Sequence, residues 1–132
     1  MTYLSVDELL AFNRMITSRT GRQIGSIAVV VNKNSLRYVT EAVQSQVFGR
    51  PLHRTAFDKA AAYAYTIIVD HPFSDGNKRT GLLAAFTFLE TNGYFASIDL
   101  EDEAIVTVGL NVATGKMSRA QLSDWLSRHF ST

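Results

Sequence analysis

Between Thr55 and Leu89 the chain sets two apolar helical stretches around a polar loop of small residues, and few folds accommodate that arrangement. Thr55 with Asp58 opens the first stretch, and Phe57, Ala60, Ala61, Ala64, Ile67 and Ile68 then recur on one face at helical spacing. Its many alanines leave room for another helix to pack close against it. The second stretch starts near Lys78, buries Leu82, Leu83, Phe86 and Leu89, and stops at Asn92-Gly93. Two such helices pack against each other and demand further helices to cover their remaining faces.

The rest of the chain supplies them. Ser5 with Glu8 reads as a capping box ahead of Leu9, Leu10 and Phe12. Ser35 is expected to cap a helix running to about Val47, ended by Gly49 and Pro51. A further helix is expected from near Asp102 to Thr114, closed by Gly115. Ser118 with Gln121 caps the last one, which carries Leu122, Trp125, Leu126 and Phe130. Only the region from Gly21 to Asn34 breaks the pattern. Its β-branched run Ile27 to Val31 and the turn residues after it suit a strand, a short hairpin or an extended loop. The reading is all-α: six helices in one domain over residues 1–132, with one extended insertion before the second helix.

Composition narrows the function. Thirteen basic and twelve acidic side chains leave a formal charge of +1, which gives no support to direct nucleic-acid binding through a basic field. With no cysteine, disulfides, thiolate catalysis and zinc-thiolate sites are excluded. The first residues show neither a basic leader nor a long apolar run, and Ile27 to Val31 is too short to span a bilayer. No membrane association and a cytoplasmic location are therefore expected.

The chemistry gathers in His71-Pro72-Phe73-Ser74-Asp75-Gly76-Asn77-Lys78-Arg79. The end of this loop starts a helix, whose unpaired N–H groups and positive dipole end favour anions. Gly76 lets backbone approach a ligand, and Asn77 can cap the helix or donate to an oxygen. Lys78 adds a mobile charge, and Arg79 offers a planar fork to phosphate. Asp75 suits Mg²⁺, which takes one or two carboxylates and fills its other positions with phosphate oxygens and water. Imidazole is the side chain best suited to accept a proton near neutral pH, so His71 is the candidate base. Phe73 is a core anchor that pins the loop. Each residue also has a plain structural use: His as a helix C-terminal residue, Asp and Asn as caps, Lys-Arg as solvated surface. Loop chemistry by itself leaves both readings open.

The wording of the loop goes further, since it resembles the signature of Fic/Doc proteins: a His, a Phe two residues later, an acidic residue, a small residue and Asn in fixed order. Ala56 to Ala62 looks like the family helix before the motif, and Leu89-Glu90-Thr91-Asn92-Gly93 like the end of the helix after it. The resemblance implies a six-helix bundle with a short flap over residues 24–34 that aligns a target segment by backbone pairing. It also implies His71 as base, Asp75 as metal or positioning carboxylate, and Gly76, Asn77, Lys78 and Arg79 as phosphate or nucleotide ligands, with ATP as co-substrate and Mg²⁺ as cofactor.

Two branches of that family differ at two positions. AMP-transferring Fic enzymes usually carry Gly after the Asn and a second Arg three residues beyond the first. Here Lys78 and Leu82 stand at those places, as in the Doc (death-on-curing) branch. That likeness implies a toxin that transfers the γ-phosphate of ATP to a threonine of elongation factor Tu. Nucleotidyl transfer on the same fold is the alternative, and a binding module without turnover is a third reading. Self-restraining Fic proteins use a Ser/Thr-x-x-x-Glu-Gly/Asn helix. The one pair at that spacing, Ser97 with Glu101, is followed by Asp102 and has no second Arg to face, so restraint by a separate antitoxin protein is expected.

Overall fold

The computed structural model describes residues 1–20, 28–47, 50–51, 53 and 55–132. Six helices are present among them: α1 (Val6–Thr20), α2 (Lys33–Ala42), α3 (Ala56–Asp70), α4 (Asn77–Thr91), α5 (Asp102–Ala113) and α6 (Arg119–His129). Two antiparallel strand pairs of two residues each complete them, β1 (Gln46–Val47) with β2 (Arg50–Pro51) and β3 (Phe95–Ala96) with β4 (Phe130–Ser131). The all-α expectation holds.

Helix α3 is central because nearly every face of it is apolar. Ala60, Ala61, Ala62, Tyr63, Ala64, Ile67 and Ile68 are all buried, and the helix packs against α2, α4, α5 and α6. Small side chains bring α4 close: a Cβ added to Gly81 would lie 2.9 Å from the Ala64 carbonyl oxygen. The close approach that the alanines foretold is therefore real, and Gly81 is its other half. Fully burying Ile67, Ile68, Phe88 or Leu89 contributes about 1.5–3 kcal/mol each. Tyr63 spans the core, where its hydroxyl accepts from the Leu4 N–H at 3.0 Å, and burial pushes its pKa up to about 12.

The caps at Thr55–Asp58 and Ser118–Gln121 form as reciprocal capping boxes, and Ser5 exchanges the same two bonds with Glu8. Gly93 and Gly115 take positive φ just beyond α4 and α5. Four expectations need correction. Asn32, not Ser35, caps α2, because its side chain accepts from the Ser35 N–H. The helix ends at Ala42 rather than Val47, where Gln44 and Ser45 side chains return to the Thr40 and Glu41 carbonyls and tighten the turn into β1; Gly49 lies outside the described residues. Phe130 belongs to β4, beyond the end of α6. Leu83 and Phe86 are only half-buried on α4, since α5 leaves a groove there.

Of the extended insertion, residues 24–27 lie outside the described residues, and Lys33 and Asn34 already form the first turn of α2. The part between is extended and exposed: Val29 and Val31 are each 64% accessible, so they are not core.

Candidate active site

The loop from His71 to Gly76 joins α3 to α4 and holds its polar side chains at two different kinds of position. Helix α3 ends because His71 adopts left-handed backbone, φ 51°, the one such non-glycine residue among those described. An L-residue there costs about 1–2 kcal/mol. Such strain is often found at functional positions. The His71 side chain is exposed, and its Nδ1 lies 3.1 Å from the Val69 carbonyl oxygen. A carbonyl only accepts, so Nδ1 carries the hydrogen and Nε2 keeps its lone pair in neutral imidazole.

The other end of the loop is buried. Asn77 accepts from the Phe73 N–H at 3.1 Å and donates to the Phe73 carbonyl at 2.8 Å, closing a ring across the turn. Both ends of its amide are thus committed to shaping the loop, and it makes no side-chain cap on α4. Phe73, 2% accessible, anchors this ring in the core.

Sequence reasoning missed the support that comes from α1. Asn13 is buried, and its Nδ2 donates to the Asp75 carbonyl at 2.9 Å and to the Thr80 hydroxyl at 3.1 Å. Thr17, also buried, accepts from the Ala28 N–H and so ties the base of the extended segment to the same helix. Gly76, φ +77°, fits beneath them: a Cβ would lie 3.1 Å from Thr17 Cγ2 and 3.2 Å from Asn13 Nδ2. A buried Asn and Thr four residues apart on an otherwise amphipathic helix was the available signal, but no local pattern says what they face.

Around this turn Ile16 and Thr17 of α1, together with Asp75, Gly76, Asn77, Lys78 and Arg79, enclose a pocket of about 180 Å³. The first turn of α4 presents its N–H groups here, as any helix start does. Lys78 and Arg79 are exposed at its edge, and Asp75 is half-buried beside them. One Asp75 oxygen accepts from the Gly76 N–H at 2.9 Å. A carboxylate offers about four acceptor sites, so capacity for a cation remains. Among the described residues no three His, Asp or Glu side chains gather as a metal cluster. Asp75 thus offers one carboxylate ligand, within the one or two that Mg²⁺ usually takes from protein.

The extended segment lies antiparallel along the loop. Val31 and Asn32 N–H groups donate to the Pro72 carbonyl, Ser74 N–H donates to the Val29 carbonyl, and Val29 N–H donates to the Ser74 hydroxyl. Val30 bridges Phe73. Every site residue expected from the sequence thus lies in or beside one loop, with Asn77 and Phe73 inside and His71, Lys78 and Arg79 outside.

A helical core holding this loop between its third and fourth helices defines a class, and comparison agrees: the chain belongs to the Fic/DOC family, whose model matches residues 3–89. It is 32% identical over 130 residues to the protein kinase Doc of Escherichia phage P1, covering 97% of this chain and 95% of that one. It is also 37% identical over 71 residues to the toxin Doc of Mycolicibacterium smegmatis, covering 54% of this chain and 55% of that one. No described helix is long and apolar enough to cross a membrane.

Proposed function

We propose that this protein is a Doc-like toxin of a type II toxin–antitoxin system that transfers the γ-phosphate of ATP to a threonine hydroxyl of a translation factor resembling elongation factor Tu. The observation that carries the reading is the loop itself, which starts at an exposed His71 on left-handed backbone and ends at a pocket of about 180 Å³ at the start of α4. Similarity to a protein kinase Doc along nearly the whole chain supports it.

In this reading His71 Nε2 takes the proton of the target hydroxyl as its oxygen attacks the γ-phosphorus. The bond from that phosphorus to the β-phosphate oxygen breaks, and ADP leaves. Phosphoryl transfer asks the protein mainly to position groups and neutralise charge. The α4 N–H groups, Lys78 and Arg79 do that for the phosphates, while Gly76 admits them to the backbone. Asp75 would hold Mg²⁺, which when bound supplies further charge neutralisation. Asn77 acts through the shape of the turn. The outer edge of residues 29–31 aligns the target segment by backbone pairing. Restraint comes from an antitoxin bound in trans.

Intact-mass measurement of candidate targets, after incubation with the protein, ATP and Mg²⁺, tests this reading. One added phosphate per target, with label arriving from γ-labelled ATP only, is the expected result. Arrival of α-label with a gain of AMP would move the protein to the nucleotidyl-transferring branch. For the toxin reading, expression alone should arrest growth and co-expression of the neighbouring gene should relieve it. Undisturbed growth with folded protein would remove that part.

A further inference from the structure

Helix α1 passes behind the turn at Gly76, and one of its side chains reaches both halves of the site. Thr17 is 3% accessible and lines the pocket of about 180 Å³ at the start of α4. Its two branches face different partners. The hydroxyl donates to the Asn13 carbonyl, one turn back, at 2.9 Å, and accepts from the Ala28 N–H at 3.3 Å. The methyl lies under Gly76, where an added Cβ would stand only 3.1 Å from it. Ala28 leads directly into the residues that run along the loop, where Val29 is bonded to Ser74 and Val31 to Pro72. One side chain therefore holds the start of the extended segment against the wall of the pocket.

We propose that Thr17 is a positioning residue for phosphate transfer: its hydroxyl sets the segment that aligns the target, and its methyl sets the turn that holds the phosphates. The inference rests on the phosphate-transfer reading and deepens it. Transfer needs the attacking oxygen and the phosphorus about 3–3.5 Å apart and in line. Residues 29–31 place the target, while Gly76 and the first turn of α4 place the phosphate. The distance between the two substrates is therefore set by whatever joins these parts. Ser74 and Pro72 join them along the loop, and Thr17 adds a second join from a different helix. Its bond to Asn13 selects one rotamer, and the β-branch then fixes hydroxyl and methyl relative to each other. Serine would keep only the hydroxyl and valine only the methyl. Threonine supplies both.

The test is steady-state kinetics of the full chain with ATP, Mg²⁺ and the target that intact-mass measurement identifies. Thr17→Val keeps the methyl and leaves the Ala28 N–H without its acceptor. It should raise KM for the target about tenfold, the worth of one hydrogen bond, with KM for ATP unchanged. Thr17→Ser keeps both hydroxyl bonds and opens space under Gly76. It should raise KM for ATP roughly threefold, from the lost packing, with KM for the target unchanged. Circular dichroism checks that each variant is folded. A merely structural role would instead move both constants together in both variants, or move neither, and either result overturns the inference while phosphate transfer stands. Should Thr17→Val not fold, Thr17→Ser decides alone: no rise in KM for ATP, or an equal rise in both constants, overturns it. Absence of any transfer by the wild type removes the phosphate-transfer reading, and this inference with it.

Discussion

His71 and Asn77 stand at the two ends of one short loop, and the fold treats them in opposite ways. Asn77 is buried with both amide ends satisfied by Phe73, whereas His71 is exposed on left-handed backbone with a single bond to Val69. One end spends its polar groups on shape, and the other leaves an imidazole open to solvent. The support behind them differs as well. Asp75, Gly76 and Thr80, next to Asn77, rest on Asn13 and Thr17 of α1, while Pro72, next to His71, accepts from the N–H groups of the exposed Val31 and Asn32. The loop is thus held by making half of it core, and the exposed half is fixed through that anchor.

The largest expected effect tests the reactive end. His71→Ala should lower phosphate transfer by about 10²–10⁴-fold, the usual contribution of a positioned base. Its denaturation midpoint should stay near wild type. A folded variant that still modifies its target at close to the wild-type rate would end the assignment of His71 as base.

Asn77→Ala should separate the two ends most clearly, because it leaves the Phe73 N–H and carbonyl without partners inside the protein. A loss of about 2–4 kcal/mol is expected from two buried bonds, together with loss of activity. Urea titration reads the first and label transfer the second. Stability within 0.5 kcal/mol of wild type (about the noise of surface substitutions) would show that the ring is dispensable. Asn13→Ala, one helix away, should cost about 1–3 kcal/mol by orphaning the Asp75 carbonyl and loosening Thr80.

A smaller effect has the opposite sign. His71→Gly should stabilise the fold by about 1 kcal/mol, since glycine adopts φ near +51° without the penalty that histidine meets. A protein made more stable and inactive by one change would show strain retained for function. No rise in melting temperature would mean that the Val69 bond or solvent already offsets the strain.

The smallest effect concerns a different histidine. His53 is buried, and its pKa is lowered first by that burial and then by Arg119, with Asp58 acting against it and Lys59 with it. A depressed folded pKa means that the unfolded chain binds the proton more readily. Stability from this group is complete above about pH 6.5, histidine's ordinary value, and is lost as pH falls below it. His53→Gln should flatten that part of the curve, as read by urea titration across pH. An unchanged pH dependence in that variant would remove the assignment to His53.

Much of this was legible in the residues themselves. The caps at Thr55–Asp58 and Ser118–Gln121, the stops at Gly93 and Gly115, and the apolar face of α3 are local signals that the fold honours. So is the second half of the loop, where Asp75, Asn77, Lys78 and Arg79 line one pocket. The end of α2 was misplaced because competing side-chain bonds from Gln44 and Ser45 outweighed a continuing helical pattern.

What sequence alone determined is therefore what short-range bonding controls: which segments are helical, where most of them start and stop, and which loop gathers the polar side chains. Tertiary structure decided which of those loop residues face inward. Asn13 meets Asp75 and Thr80 across more than sixty residues of chain, and Val29 to Asn32 meets Pro72 to Ser74 across about forty. Such contacts depend on how helices pack rather than on any neighbour in sequence. Packing likewise set Lys78 and Arg79 between a polar pocket and an apolar one, because α5 approaches α4 at Gly109 and stands off at Leu83 and Phe86.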